Sequence, residues 1–260
     1  NDKGQTYLLA IDPYFWMRQA KNIIENGHPG DEIRDGIPWD NHMFAPLGRP
    51  NPPDVFHPYF EAYVYKIWSF FNRDVELMKV VFYIPVIISA LSIIPAFFIT
   101  RRLGGNFGAL IATTLLAISP AFLNRTAGGF SDTDAYNVFF PLLILWLFLE
   151  AMESNKIKNA IIPAVGAGFL VGVYSRTWGG WWYILDFIVA AYAIYLGYYL
   201  VIHRKEIMDR TLFNHPAIKN ILIIGVLFII SAGAFVTLFL DFHNFQSAFL
   251  APLDFSRIKD

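Results

Sequence analysis

The sequence predicts an all-α, polytopic membrane bundle with a large first extracytoplasmic loop. Three observations predict it. Of 260 residues, 55% are hydrophobic and 17% aromatic, while only 16% are charged, a composition for burial in lipid rather than for a soluble domain. Six apolar runs follow one another, most approaching the length that spans a bilayer, about 20 residues, and the shorter ones able to borrow flanking aromatics. The connections between them are short and polar.

The first segment, residues 1–79, is polar and rich in Pro and Gly. Asp12 is a good N-cap and Pro13 suits the first helical position, with Phe15, Ile23 and Ile24 as the apolar face and Gly27 as the stop. Residues 28–56 carry prolines 29, 38, 46, 50, 52 and 53 and read as an irregular loop. A second amphipathic helix is expected over Tyr59–Phe71. The bundle, residues 80–260, follows with spans near 80–99, 107–123, 135–152, 160–174, 181–202 and 220–240. Residue 1 is Asn and polar sequence begins at once, so an upstream helix is expected.

Charge in the loops sets the orientation. The connections at 100–106, 153–159 and 203–219 hold Arg101, Arg102, Lys156, Lys158, Arg204, Lys205, Arg210 and Lys219, whereas those at 124–134 and 175–180 hold only Arg125 and Arg176. Cytoplasmic loops carry the excess of Lys and Arg. Alternation then puts residues 1–79, both poorly charged loops and everything after 240 on the outer face. Asp12, Asp132, Asp134, Arg125 and Arg176 are therefore expected on one side of the membrane.

The absence of cysteine excludes disulfides and thiolate metal sites, and a net charge of -1 gives no footprint for nucleic acid. The chemistry concentrates in Asn124-Arg125-Thr126-Ala127-Gly128-Gly129-Phe130-Ser131-Asp132-Thr133-Asp134. Two carboxylates one residue apart are hard oxygen ligands suited to Mg²⁺ or Mn²⁺. Crowded carboxylates repel unless a cation lies among them. Asp134 reads equally well as a helix cap, a role Asp132 fills less easily because one cap suffices. Arg125 suits a phosphate oxygen or an Asp partner, or an interfacial arginine reaching for headgroups. Arg176 opens an aromatic Gly turn, Trp178-Gly179-Gly180-Trp181-Trp182, which reads first as an interfacial belt. His28, His42 and His57 lie in the first loop, where the sequence leaves open whether any is a ligand. Asp186 lies inside a span, near its outer end; a transporter would carry such groups near the midplane.

The run at 124–134 resembles the second acidic motif of asparagine-linked oligosaccharyltransferase catalytic subunits, in the Asp-Thr-Asp form of the archaeal and bacterial single-subunit enzymes. Ile11-Asp12-Pro13-Tyr14-Phe15 is similar to the first acidic motif, and the Trp-Gly-Gly-Trp-Trp run is similar to one in archaeal members. The resemblance implies a glycosyltransferase fold of the GT-C type, a multi-pass cell-membrane location and an active site on the outer face. It implies Asp12, Asp132 and Asp134 as ligands of Mn²⁺ or Mg²⁺, Asp12 also as a contact to the acceptor asparagine, and Arg125 beside the metal. Arg176 is expected toward the lipid phosphate. The implied partners are membrane lipid, a lipid-linked oligosaccharide on a dolichyl or other polyprenyl phosphate, and an acceptor polypeptide with Asn-x-Ser/Thr. The implied reaction inverts the sugar carbon. A protein O-mannosyltransferase is the alternative. The family's later glutamate and soluble sequon-reading domain do not occur in these residues, so an N-terminal portion is expected, inactive by itself.

Overall fold

A computed structural model of the chain describes residues 6–51, 55–154, 156–204 and 216–252. It separates into two compact units, residues 1–97 with 106–139 and residues 98–105 with 140–260.

In the first unit, α1 (Asp12–Asn26) begins at Asp12 itself. Ile11 occupies the cap position, and no side chain makes a capping hydrogen bond. The expected capping role of Asp12 is thus corrected: its carboxylate sits in the first turn and is not spent on the helix end. Pro13 lies in that first turn, and Gly27 closes the helix by donating its N–H to Ile23 O at 3.1 Å. Ala20 and Ile23 bury their side chains against Ala62 of α2 (Phe56–Phe71), with Ile24 and Tyr59 completing the cluster.

Residues 28–56 are not wholly irregular. They hold a three-stranded antiparallel sheet in the order β1 (Glu32–Arg34), β2 (Ile37–Asp40), β3 (Arg49–Pro50). Strands of two to four residues, two of them containing proline, are too short to show alternation in sequence. One arginine fastens this sheet to α1. Arg18 Nη1 donates to both carboxylate oxygens of Asp31, at 2.7 and 2.6 Å, and its Nη2 donates to Asp40 Oδ2 at 2.7 Å. Burial works to raise the Asp31 carboxyl pKa. Hydrogen bonds from Asn22, the Asn41 amide, Arg18 and His42 outweigh it and hold Asp31 well below the carboxylate range. Burial opposes the shift of Asp40 too, and hydrogen bonds from Arg18 and the Met43 and His42 amides overcome it.

Helix α3 (Leu77–Ala117) contains both of the first two expected spans, 80–99 and 107–123, as far as residue 117. At 41 residues a straight helix would be about 60 Å long, twice the hydrocarbon core of a bilayer. It is not straight. Gly105 breaks it with φ 61° and ψ -168°, a conformation that only glycine adopts readily. The Gly129 amide donates to Phe82 O at 2.9 Å. Chain that leaves the first turns of α3 is therefore back beside them 47 positions later, having gone out and returned. Helix α4 (Pro120–Thr126) and a 3₁₀ turn at Thr133–Ala135 complete the unit's helical elements.

The second unit contains α5 (Tyr136–Glu153), which starts at the end of the first, α6 (Ile157–Ser175), α7 (Trp182–Ile202), α8 (Pro216–Phe239) and α9 (Phe242–Ala248). Small buried residues of α6, among them Ala160, Ala164, Ala167, Gly168 and Gly172, let the backbone of α8 approach closely, which is how helices associate in lipid. Arg102, at the charged end of this unit, reaches Glu150 and Glu153 at 2.6 and 2.9 Å. Among the described residues, five helices are long and apolar enough to cross a membrane: α3, α5 with its 3₁₀ lead-in, α6, α7 and α8 from Ile218. The protein is a multi-pass, helical membrane protein. The segment 203–219, expected as a charged connection, lies largely outside the described residues.

The Arg18 knot gives a pH signature. Because the folded pKa values of Asp31 and Asp40 are depressed, their stabilisation is complete above about pH 4 and is lost as pH falls below it. Thermal unfolding in detergent should show Arg18→Met clearly less stable than wild type at neutral pH, with the gap shrinking under acid. A gap independent of pH would contradict the assignment.

Candidate metal and phosphate site

The loop between α4 and α5 is sewn to its neighbours by its own backbone. While the Gly129 amide donates to Phe82 O, its carbonyl accepts from the Leu9 amide at 2.8 Å. A Cβ on Gly128 would stand 2.6 Å from the Phe82 ring, and Gly129 has φ +90°. The paired glycines are what allow the loop to press against α3.

This stitching fixes Asp132. Its Oδ1 accepts from Thr133 N at 2.7 Å and from the indole N–H of Trp16 at 3.0 Å. Asp132, not Asp134, is the residue that caps the 3₁₀ turn, so the two sequence readings exchange places. Oδ2 of Asp132 makes no hydrogen bond among the described residues. Trp16 lies one helical turn after Asp12, so the same indole that holds Asp132 brings the N-terminus of α1 to the loop. The Asp134 carboxylate lies within electrostatic reach of Asp132, Arg125 and Asp12. Arg125 Nη1 donates to Asp134 Oδ2 at 3.3 Å, a long contact, and its side chain is 66% exposed. The guanidinium also lies over the Phe130 ring at 5.6 Å.

Four predicted residues, Asp12, Asp132, Asp134 and Arg125, therefore share one corner of the first unit, although 113 to 122 positions separate Asp12 from the rest. Their ligand atoms are not drawn into one tight cluster. The only group of three His or acidic ligand atoms within 4.8 Å of one another, among the described residues, is Asp31, Asp40 and His42. That group already encloses a cation: Arg18 sits 2.6–3.0 Å from atoms of all three. A metal there would have to displace a guanidinium, so this donor set is a poor fit. The set Asp12, Asp132 and Asp134 has only oxygen donors and one weakly engaged arginine for three carboxylates, and it fits a hard divalent cation. Arg176 belongs to the second unit, where its Nη1 donates to Phe239 O at 2.8 Å at the end of α8.

Beneath the loop lies a buried polar network that the sequence reading missed. His57 is not a surface residue: it is fully buried, as is Glu61 one turn later on α2. Ser131 Oγ donates to Glu61 Oε1 at 2.7 Å. His57 Nε2 faces Glu61 Oε1 at 3.2 Å and Ser131 O at 3.3 Å, while Nδ1 lies 2.8 Å from Tyr136 Oη. Nε2 faces acceptors only and so carries a hydrogen, leaving Nδ1 to accept from the tyrosine hydroxyl when the ring is neutral. The network grips the residue directly before Asp132. The available signal was the i, i+4 spacing of His57 and Glu61, which puts both on one helix face, but the expected helix began at 59 and excluded His57.

Comparison with known proteins agrees with this architecture. Residues 1–256 match the family model of the oligosaccharyl transferase STT3, N-terminal. The chain is 32% identical over 273 aligned positions to a dolichyl-phosphooligosaccharide-protein glycotransferase of Methanococcus voltae, covering 98% of this chain and 30% of that protein. It is 27% identical to the protein of the same description from Methanocaldococcus jannaschii, covering 92% of this chain and 33% of the relative. The chain thus spans about a third of the length of these relatives. Among solved structures it resembles the archaeal oligosaccharyltransferase AglB from Archaeoglobus fulgidus in complex with an inhibitory peptide and a dolichol-phosphate, with TM-score 0.66 and 24% identity over 89% of this chain and 26% of that one. A complex of an Archaeoglobus fulgidus oligosaccharyltransferase with Zn and sulfate aligns with TM-score 0.62 and 21% identity over 98% of this chain and 36% of that one. At these identities the structures establish the fold.

Removing the acceptor at the centre of the network should be costly. Glu61→Ala strands the Ser131 hydroxyl and the His57 N–H in a dry site, and should destabilise by about 2–4 kcal/mol. Glu25→Ala, which removes an exposed pair with Lys21 at 3.9 Å, should cost under about 0.5 kcal/mol. Unfolding in detergent compares the two, and equal small effects would refute the network.

Proposed function

Since this chain belongs to the oligosaccharyl transferase STT3 N-terminal family, we propose that it forms the metal-and-phosphate half of an enzyme that N-glycosylates proteins. The substrate is an oligosaccharide on a polyprenyl phosphate, and the acceptor is the side-chain nitrogen of Asn in Asn-x-Ser/Thr. The observation that carries this reading is the meeting of Asp12 with Asp132, Asp134 and Arg125 at the loop held by Trp16. The excess of Lys and Arg in the opposite loops favours an extracytoplasmic location for this corner.

In the reaction the sugar C1–O bond to the carrier phosphate breaks, an N–C1 bond forms with inversion, and the amide nitrogen loses a proton. A carboxamide nitrogen is a poor nucleophile because its lone pair is delocalised; in the related peptide bond, rotation about C–N costs about 18–20 kcal/mol. A carboxylate that accepts the N–H groups polarises that amide, and the exposed Asp12 at the start of α1 is the residue for this contact. Asp132 and Asp134, with Asp12, would hold a divalent cation, Mn²⁺ or Mg²⁺. Such an ion, when bound, supplies Lewis-acid stabilisation of the departing phosphate. The Asp132 Oδ2 atom is free for that purpose because Trp16 and Thr133 occupy Oδ1. Arg125 has one long ion-pair contact and keeps its remaining donors for phosphate oxygens. For Arg176 we propose a role toward the carrier on the outer face. Partners are the lipid-linked oligosaccharide and the sequon polypeptide, in a single-subunit enzyme.

In the complete enzyme, Asp12→Ala, Asp132→Ala and Asp134→Ala should each lower transfer to a sequon peptide on the order of 10²-fold or more while membrane insertion stays normal. Normal turnover in all three would end the proposal. Transfer to a Ser/Thr peptide lacking Asn would point instead to O-glycosylation.

A further inference from the structure

Helix α2 is divided along its length. Its first half buries His57, Pro58, Glu61 and Ala62 against the site and α1. Its second half turns Tyr63, Ile67, Phe70 and Phe71 outward, and these are 59%, 63%, 81% and 80% exposed. Steps of four, three and one residues place all four on one face of a helix. The Lys66 ammonium lies 5.6 Å from the Tyr63 ring on the same exposed side.

Two observations say what covers this face. Trp68 stacks on Tyr83 with ring centroids 6.3 Å apart and planes 28° apart. Tyr83 lies six residues into α3, about 9 Å along a helix that spans the membrane. The aromatic end of α2 therefore sits against the first two turns of a span, at the depth where hydrocarbon gives way to headgroups. The link is also short: α2 ends at Phe71 and α3 begins at Leu77. The intervening residues and the first turn of α3 carry exposed Arg73 and Lys79 alongside exposed Asp74 and Glu76. Tyr and Trp favour this boundary, and an interfacial helix buries its apolar face about 5–10 Å into it.

We propose that the Tyr63–Ile67–Phe70–Phe71 face of α2 is a lipid-docking surface seated in the outer headgroup region beside α3. Phe70 and Phe71 enter the acyl boundary, and Lys66 extends toward lipid phosphate. The same helix grips Ser131 through Glu61 and His57, so one element carries both the contact to lipid and the acidic loop.

The test reads depth and does not depend on catalysis. In the complete protein, with any cysteine elsewhere replaced, Phe70→Cys and separately Phe71→Cys are labelled with an environment-sensitive fluorophore. Asp35→Cys, on the exposed turn between β1 and β2, serves as the control. After reconstitution in phosphatidylcholine vesicles, both α2 labels should emit to the blue of the control. Nitroxide-bearing lipid should quench them several-fold more than an aqueous nitroxide does, with the order reversed at the control. Aqueous quenching equal to the control would overturn the proposal, as would blue emission that neither quencher reaches, which would mean that protein covers the face. Two labelled positions guard against one variant failing to fold.

Discussion

A single hydrogen bond ties the two ends of the site together: the Trp16 indole N–H to Asp132 Oδ1, at 3.0 Å across 116 positions. Without it the acidic residue at the start of α1 and the pair in the Gly-rich loop would be linked only through the Leu9–Gly129 backbone bond and, less directly, through α2, which packs on α1 and holds Ser131. The arrangement is costly because carboxylates that gather repel one another, and Asp132 and Asp134 are half-buried. The chain meets this cost with neutral donors first, an indole and one backbone amide, and only then with Arg125 at 3.3 Å. Neutral donors aim one oxygen of Asp132 and leave the other, together with the net negative charge of the corner, available to a cation.

The contrast with the Arg18 knot is instructive. There the carboxylates of Asp31 and Asp40 are closed by a bidentate guanidinium at 2.6–2.7 Å, and the result is a clamp between α1 and the sheet. Tighter geometry marks the poorer metal candidate, because its cation is already part of the chain. At the acidic loop the support comes from below, where Glu61 and His57 hold Ser131 by its hydroxyl and carbonyl and Tyr136 braces His57. Membrane helices supply the frame. The out-and-back passage of α3, closed by Gly129 N–H to Phe82 O, returns the chain to the level of α1.

Much of this was legible in the sequence. Apolar runs and the bias of Lys and Arg in the loops indicated a helical membrane protein and suggested which loops share a face. The Asp-x-Asp run after two glycines pointed to Asp132 and Asp134, and Pro13 marked the start of α1. Other features left no readable trace. The sheet at residues 32–50 is built from strands shorter than one period of any pattern. Which of Asp132 and Asp134 caps the turn depends on a long-range partner, Trp16, that local propensity does not contain. The burial of His57 was not legible because an exposed loop and a buried helix start have the same composition; only packing against Ser131 and Tyr136 separates them. The break at Gly105 was hidden within a stretch that reads as loop, between segments that were counted as two spans.

Metal binding itself tests the account most directly. Mn²⁺ titration of the complete protein, followed by electron paramagnetic resonance, should show a tight ion that is lost in Asp12→Ala and lost in Asp132→Ala but kept in Asp31→Ala. Retention in the first two with loss in the third would place the ion at the Arg18 knot and contradict the convergence of α1 and the acidic loop on one metal.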